Sequence, residues 1–342
     1  MDQNGEIIAK AIKSSLNIID QDREKKIISC RFGLSGHKET LEQIGDALSV
    51  TRERVRQLEK VILIRLRINA KDGKIPDLPA AEKIIIRNLT ETGRVARISD
   101  LADKIYGHKT TAAERAALNF LGDISSVLTV VSENDRYHLG LGIAEYGDEK
   151  TIKSKVDEVV KIIKENKAPL SLDELDAKLS YEHPSHIEAI ASLSKALATL
   201  NGLWGLSKWP TVNPKNIRDK IYVILESSKK PMHFNEIAEA IATSNFKRKN
   251  VTIQAIHNEL IKDPRFVLIG RGIYALDSWG YKKGTVSEII INILKKSEEP
   301  LSREEIITEV LASRKVKETT ILLNLQNKDL FKKVDKNLYT LA

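Results

Sequence analysis

Cysteine is almost missing from this chain: Cys30 is the one thiol among 342 residues. An internal disulfide is therefore excluded, as is a zinc site built on cysteines, and the composition suits a reducing compartment. Long apolar runs are missing too. Stretches such as Ile84-Ile85-Ile86 and Ile289-Ile290-Ile291 fall far short of the roughly 18 residues a membrane helix needs, so no membrane partner is expected. The segment Met1-Asp2-Gln3-Asn4-Gly5-Glu6 has neither a basic n-region nor an apolar h-region, and a cytoplasmic location is expected. The motifs of common enzyme chemistry are equally scarce. There is no Gly-rich phosphate loop, no Gly-x-Ser-x-Gly elbow and no His-Glu-x-x-His pair. His183 and His186 stand three apart with no third ligand type beside them and read as surface or turn histidines. Neither an enzyme, a cofactor nor a metal site is expected. Cys30, next to Arg31 on an apolar-periodic helix, reads as a packed core thiol.

Positive charge is present in excess. The net charge is +8, which favours polyanionic partners. Residues 20–72 carry 12 basic against 9 acidic side chains, 214–281 carry 11 against 7, and 282–342 carry 12 against 9. By contrast, 77–143 carry 8 against 9 and 144–213 carry 9 against 11, so the middle of the chain is slightly acidic.

The chain also repeats itself. Pro169-Leu170-Ser171-Leu172-Asp173-Glu174-Leu175, Pro231-Met232-His233-Phe234-Asn235-Glu236-Ile237 and Pro300-Leu301-Ser302-Arg303-Glu304-Glu305-Ile306 share one pattern. Each follows one apolar-periodic helix and opens another, with Ser171/Glu174 and Ser302/Glu305 in capping-box spacing. Tyr137, Trp204, Tyr274 and Tyr339 recur as aromatic anchors, with a weaker copy of the repeat between Ala80 and Leu141. In the third copy the last helix is expected at about Val251–Lys262, with Ile253, Ile256 and Leu260 on one face. A hairpin follows over Phe266–Leu276, turning at Gly270-Arg271-Gly272. Three helices closed by a two-stranded ribbon is a winged helix. The expected fold class is mainly α: a helix-turn-helix module over 1–72, then winged helices over 78–143, 150–213, 215–281 and 283–342. Units this small bury modest cores and should lean on their neighbours. Linkers are expected at Lys71–Pro79, Glu145–Thr151, Pro210–Pro214 and Tyr281–Gly284.

The most informative stretch precedes the repeats: Arg31-Phe32-Gly33-Leu34, Thr40-Leu41-Glu42-Gln43-Ile44-Gly45 and Val50-Thr51-Arg52-Glu53-Arg54-Val55-Arg56-Gln57-Leu58-Glu59. Thr40 and Gln43 form a capping box for a helix whose Leu41, Ile44 and Leu48 face inward, and Val55, Leu58 and Ile62 continue that core from a second helix. Arg52, Glu53, Arg56 and Gln57 then share the opposite face, which a helix-turn-helix presents to the major groove. Arginine can grip guanine, glutamine can pair with adenine, and glutamate can accept from the cytosine amino group. Arg54, Lys60, Arg65 and Arg67 supply positive charge for phosphate contacts. In the third winged copy, Lys247-Arg248-Lys249 reads either as a solvated loop or as a phosphate contact, with Thr252, Gln254 and Asn258 on a groove face and Arg271 at the wing tip. Arg314, Lys315 and Lys317 sit similarly in the fourth, with Lys332, Lys333 and Lys336 in its wing.

From about Ile7 to Arg67 these residues resemble region 4 of primary sigma factors. The resemblance implies binding of a promoter element in double-stranded DNA and docking on the beta flap of bacterial RNA polymerase. Arg52, Glu53 and Gln57 match the family's base-contacting positions; Arg54 and Arg56 match positions near phosphate or polymerase. Sigma factors melt promoters through an aromatic-rich region before this module, and only a short segment lies upstream of the Arg-Phe-Gly-Leu motif, so no melting activity of its own is expected. The repeats resemble the HARE-type helix-turn-helix, a winged module shared with the delta subunit of RNA polymerase. Lys230-Pro231-Met232-His233-Phe234, Asp263-Pro264-Arg265-Phe266-Val267 and Gly270-Arg271-Gly272-Ile273-Tyr274-Ala275-Leu276 carry that likeness. The resemblances imply a nucleoid-associated, sequence-specific transcription regulator. The alternative is a multi-module interaction or DNA-recognition subunit of a restriction or defence system.

Overall fold

The computed structural model describes residues 3–179, 184–297, 299–335 and 337–342. It separates into two compact units, Met1–Lys208 and Trp209–Ala342. The first opens with α1 (Gln3–Asn17), α2 (Asp22–Phe32), α3 (Leu41–Leu48) and α4 (Arg52–Lys71). Thr40 caps α3 through the full reciprocal capping box with Gln43, and the Thr51 hydroxyl caps α4 by accepting from the Arg54 amide. The turn between them is tight: a Cβ on Gly45 would lie 2.6 Å from the Val50 carbonyl oxygen, and Ser49 is left-handed at φ 53°. Ile27, Cys30, Ile44 and Val55 close a small local core, so Cys30 is a packed thiol there.

Four winged modules follow. The first comprises α5 (Leu78–Thr92), β1 (Val95–Arg97), α6 (Ile98–Tyr106), α7 (Ala112–Ile124), β2 (Leu128–Val131) and β3 (Gly140–Ile143). The second comprises α8 (Glu149–Asn166), β4 (Leu170–Ser171), α9 (Leu172–Leu179), α10 (Pro184–Ser192), β5 (Leu197–Leu200) and β6 (Leu203–Leu206). In the second unit α11 (Ile217–Ser228), β7 (Met232–His233), α12 (Phe234–Thr243), α13 (Ile253–Lys262), β8 (Phe266–Gly270) and β9 (Ile273–Leu276) form the third. The fourth is α14 (Val286–Lys296), β10 (Leu301–Ser302), α15 (Arg303–Ser313), α16 (Glu318–Leu325), β11 (Phe331–Asp335) and β12 (Leu338–Leu341).

Each wing is a three-stranded antiparallel sheet rather than a two-stranded ribbon, with the hairpin's second strand in the centre. The repeated opening therefore does two jobs: its two strand residues pair with that central strand, and the second of them, Ser171, His233 or Ser302, also caps the following helix. Leu170 pairs with Trp204, Met232 with Tyr274 and Leu301 with Tyr339. In the first module Ala96 pairs with Leu141, so Leu141, not Tyr137, takes the anchor position. Tyr137 lies in a longer hairpin loop. Linker boundaries also shift, since α5 begins at Leu78 and Pro79 lies in its first turn, where a proline costs no hydrogen bond.

The helix-turn-helix and the first winged module share one core. Ile8, Ile62 and Leu66 pack in the same cluster as Leu89, Leu101 and Phe120, and Phe32 meets Phe120 edge-on with ring centroids 5.2 Å apart. In the second unit the fourth module has its own cluster, around Ile289, Ile293, Ile306 and Phe331. It is tied to the third by backbone: the Lys315 amide donates to the Ile269 carbonyl at 3.0 Å. A Cβ on Gly270 would lie 2.6 Å from the Lys315 carbonyl oxygen, so that contact requires glycine.

Candidate nucleic-acid interface

The first two turns of α4 leave Arg52, Glu53, Arg54, Arg56 and Gln57 exposed while Val55 is buried beneath them. Arg56 grips Glu53 with two hydrogen bonds, at 2.9 Å from Nε and 2.7 Å from Nη2. Gln57 Nε2 reaches the same carboxylate at 3.4 Å. The Arg56 guanidinium holds the Glu53 carboxyl below its ordinary value, and Glu53 in turn raises that of Arg56. Glu53 is thus kept as a charged acceptor with a fixed orientation. The helix carrying this network is anchored from behind: Arg31 bonds Glu59 on α4 and the Glu39 carbonyl, both at 3.0 Å. Arg31 belongs to the Arg-Phe-Gly-Leu motif, but its positioning role has no local sequence signal, because a three-dimensional contact between α2 and α4 creates it.

The charges assigned to phosphate or polymerase divide along the same helix. Lys60 is exposed. Arg65 pairs with Glu24 on α2, and Arg67 pairs with both the carboxylate and the carbonyl of Asp123 at the end of α7. Both arginines therefore join α4 to neighbouring helices in this structure, because the C-terminal half of α4 runs against them.

In the third module Lys247, Arg248 and Lys249 are exposed just before α13. Their loop is held by a buried charge: Lys220, 4% exposed, donates from Nζ to the Arg248 carbonyl at 2.7 Å. Burial and the nearby Arg248 push the Lys220 ammonium down in pKa. Arg248 itself is left-handed at φ 58°. The helix starts at Ile253 rather than Val251, so Thr252 is its N-cap and its hydroxyl accepts from the Ala255 amide. Gln254 and Asn258 are exposed and bonded to each other at 3.0 Å. Of the three apolar residues on one face, Ile253 stands 51% exposed in the first turn, while Ile256 and Leu260 are buried. Arg271 is exposed at the wing turn.

In the fourth module Lys315 and Lys317 are exposed, as are Lys332 and Lys333 on β11; Lys336 lies outside the described residues. Arg314 departs from the expected surface contact. It is 9% exposed, because its loop docks against β8 of the third module. Its Nε and Nη1 are buried without a hydrogen-bond partner among the described residues, and burial lowers its pKa against the opposing pull of Glu288.

The long hairpin loop of the first module serves a different purpose. The His138 amide donates to the Leu193 carbonyl at 2.8 Å and the Lys195 amide to the Arg136 carbonyl at 2.9 Å, docking the wing on the second module. Tyr137 donates its hydroxyl to Asp157 at 2.7 Å, and Arg136 and Lys195 form ion pairs with Asp157 and Glu133. His186 is also not at the surface: it is buried and packs edge-on against Tyr146, while His183 lies outside the described residues. Among the described residues no cluster of His, Cys, Asp and Glu suits a metal ion, and no helix is long and apolar enough to cross a membrane.

Comparison with known proteins bears on two of these modules. Residues 21–67 match the family described as sigma-70, region 4. Residues 217–279 match HARE-HTH, a helix-turn-helix domain whose description includes ASXL and restriction endonuclease. A 56-residue segment is 45% identical to RNA polymerase sigma factor SigA of Clostridium acetobutylicum. That segment covers 16% of this chain and 15% of the sigma factor. The chain therefore carries a helix-turn-helix similar to sigma region 4 and a helix-turn-helix similar to HARE-HTH, on a mainly helical, winged framework.

Proposed function

We propose that the protein is a sequence-specific transcription regulator that binds double-stranded DNA and engages bacterial RNA polymerase through its sigma-like module, at the beta flap. The observation that carries this reading is the exposed, mutually bonded set of Glu53, Arg56 and Gln57, with Arg52 beside them, on the first turns of α4, in the segment that matches sigma region 4. In the groove, Arg52 donates to a guanine edge, Gln57 pairs with adenine, and Glu53 accepts from a cytosine amino group while Arg56 fixes its orientation. Arg54 and Lys60 flank these residues and meet phosphate, which sets register without reading sequence. The basic loop Lys247-Arg248-Lys249 and Arg271 add a second duplex contact from the third module. Selection from random duplex DNA tests the first half, and binding to the isolated beta flap tests the second. An enriched motif together with flap binding supports the reading; random output and no flap binding refute it.

A second reading is favoured for one region only. The first wing is occupied by the second module through backbone bonds and ion pairs, which supports a spacer or protein-contact role for the mildly acidic pair.

A further inference from the structure

Within the second unit, a cleft of 630 Å³ opens between the third and fourth winged modules, and Arg314 lines it. Its walls are unusual for a protein surface. Ile261 at the end of α13 and Leu268 on β8 stand 66% and 44% exposed, with Val267 and Phe266 alongside. Lys262 and Lys283 also line the cleft, Lys283 being engaged by the Pro264 carbonyl and Asp277. The carboxylates nearby are already engaged: Asp263 is bonded by Arg265, and Glu288 accepts from the Thr285 amide in the capping box of α14. Arg314 is left with a buried guanidinium whose Nε and Nη1 have no partner among the described residues. Leaving such donors unmatched is costly, and a planar guanidinium is matched by a planar carboxylate. Exposed apolar walls around a buried, unmatched cation define the complement: an anionic head on an apolar body.

We infer that this cleft is a binding site for a small monocarboxylate with an apolar tail, its carboxylate held by Arg314 and its tail lying against Ile261 and Leu268. The site is independent of the DNA reading. Because the Arg314 loop is hydrogen-bonded to β8 at Ile269, an occupant also braces the fourth module against the wing that carries Arg271.

The test uses the full chain, with octanoate as the probe and acetate and inorganic phosphate as comparisons, followed by calorimetry. Octanoate is expected to bind at one site, at least about 10-fold more tightly than acetate or phosphate. Arg314→Met should weaken octanoate about 10-fold or more, the effect of losing a charge-assisted contact. Ile261→Ser, on an exposed side chain that the fold does not need, should weaken it about 3-fold. Glu288→Gln keeps the capping contact and should leave octanoate affinity unchanged or higher. Octanoate binding unaffected by both Arg314→Met and Ile261→Ser would overturn the inference, as would phosphate binding as tightly as octanoate. So would weaker octanoate binding in Glu288→Gln, since Arg314 would then act through Glu288.

Discussion

In the first winged module the hairpin loop between β2 and β3 is long, and Arg136, Tyr137 and His138 within it are bonded to the second module. In the third module the equivalent loop is only Arg271-Gly272, and Arg271 remains exposed. The two wings share strand order and the pairing of their central residue, Leu141 with Ala96 and Tyr274 with Met232. What differs is what the tip meets. One wing joins module to module, and the other leaves a cation exposed. Core organisation differs along the chain as well: the first module is fused to the helix-turn-helix, whereas the fourth closes a cluster of its own.

The largest effect should come from breaking the fused core. Phe120→Ala empties a fully buried aromatic site and should cost ~3–5 kcal/mol. Denaturant unfolding followed at α4 and at α7 should show both destabilised together; a loss confined to α7 would show that the cores are separate. Next in size is the specificity contact. Arg52→Ala should lose ~1–3 kcal/mol of discrimination at one base pair, measured on matched and substituted duplexes. Replacing Lys247, Arg248 and Lys249 with alanine should lower the salt slope of duplex binding by up to about three phosphates' worth, near 0.9 per contact. Arg136→Ala and Lys195→Ala should leave that slope unchanged, and an equal fall would erase the distinction between the wings.

The smallest effect concerns the docked wing. Tyr137→Phe should cost ~0.5–1.5 kcal/mol through its lost bond to Asp157. Burial and Asp157 push the Tyr137 hydroxyl up to about 12 from an ordinary 10. The folded state thus favours the neutral phenol, and its stabilisation is complete below pH 10 and lost as pH rises towards 12. Tyr137→Phe should reduce this alkaline limb without removing it, because burial also raises Tyr106 to about 12. Unchanged alkaline unfolding in the variant would place Tyr137 outside the docking contact.

Much of the architecture was legible because it is written in local signals. The capping pairs Thr40/Gln43 and Ser302/Glu305 mark helix starts, and both form in full. Gly270-Arg271-Gly272 marks a hairpin, and β8 and β9 turn there. The exposed face of α4 follows from helical periodicity alone. What was not legible depends on contacts between modules. Nothing local distinguishes Arg314 from Lys315, yet one is buried and the other exposed. Tyr137 fits the aromatic spacing of the repeat, but the longer loop moves the anchor to Leu141. Ile253 fits the apolar stripe, but it sits in the first turn and stands exposed, while Ile256 and Leu260 are buried. Lys220 carries no sequence signal, since its role is to hold a carbonyl 28 residues away.

Base reading by Arg52, Glu53 and Gln57 on α4 is open to a direct test, selection on random duplex DNA with the full chain and with Arg52→Ala. The unaltered protein should yield an enriched motif, and the variant relaxed preference at one base pair. Equal weakening on every duplex, with the motif unchanged, would contradict it.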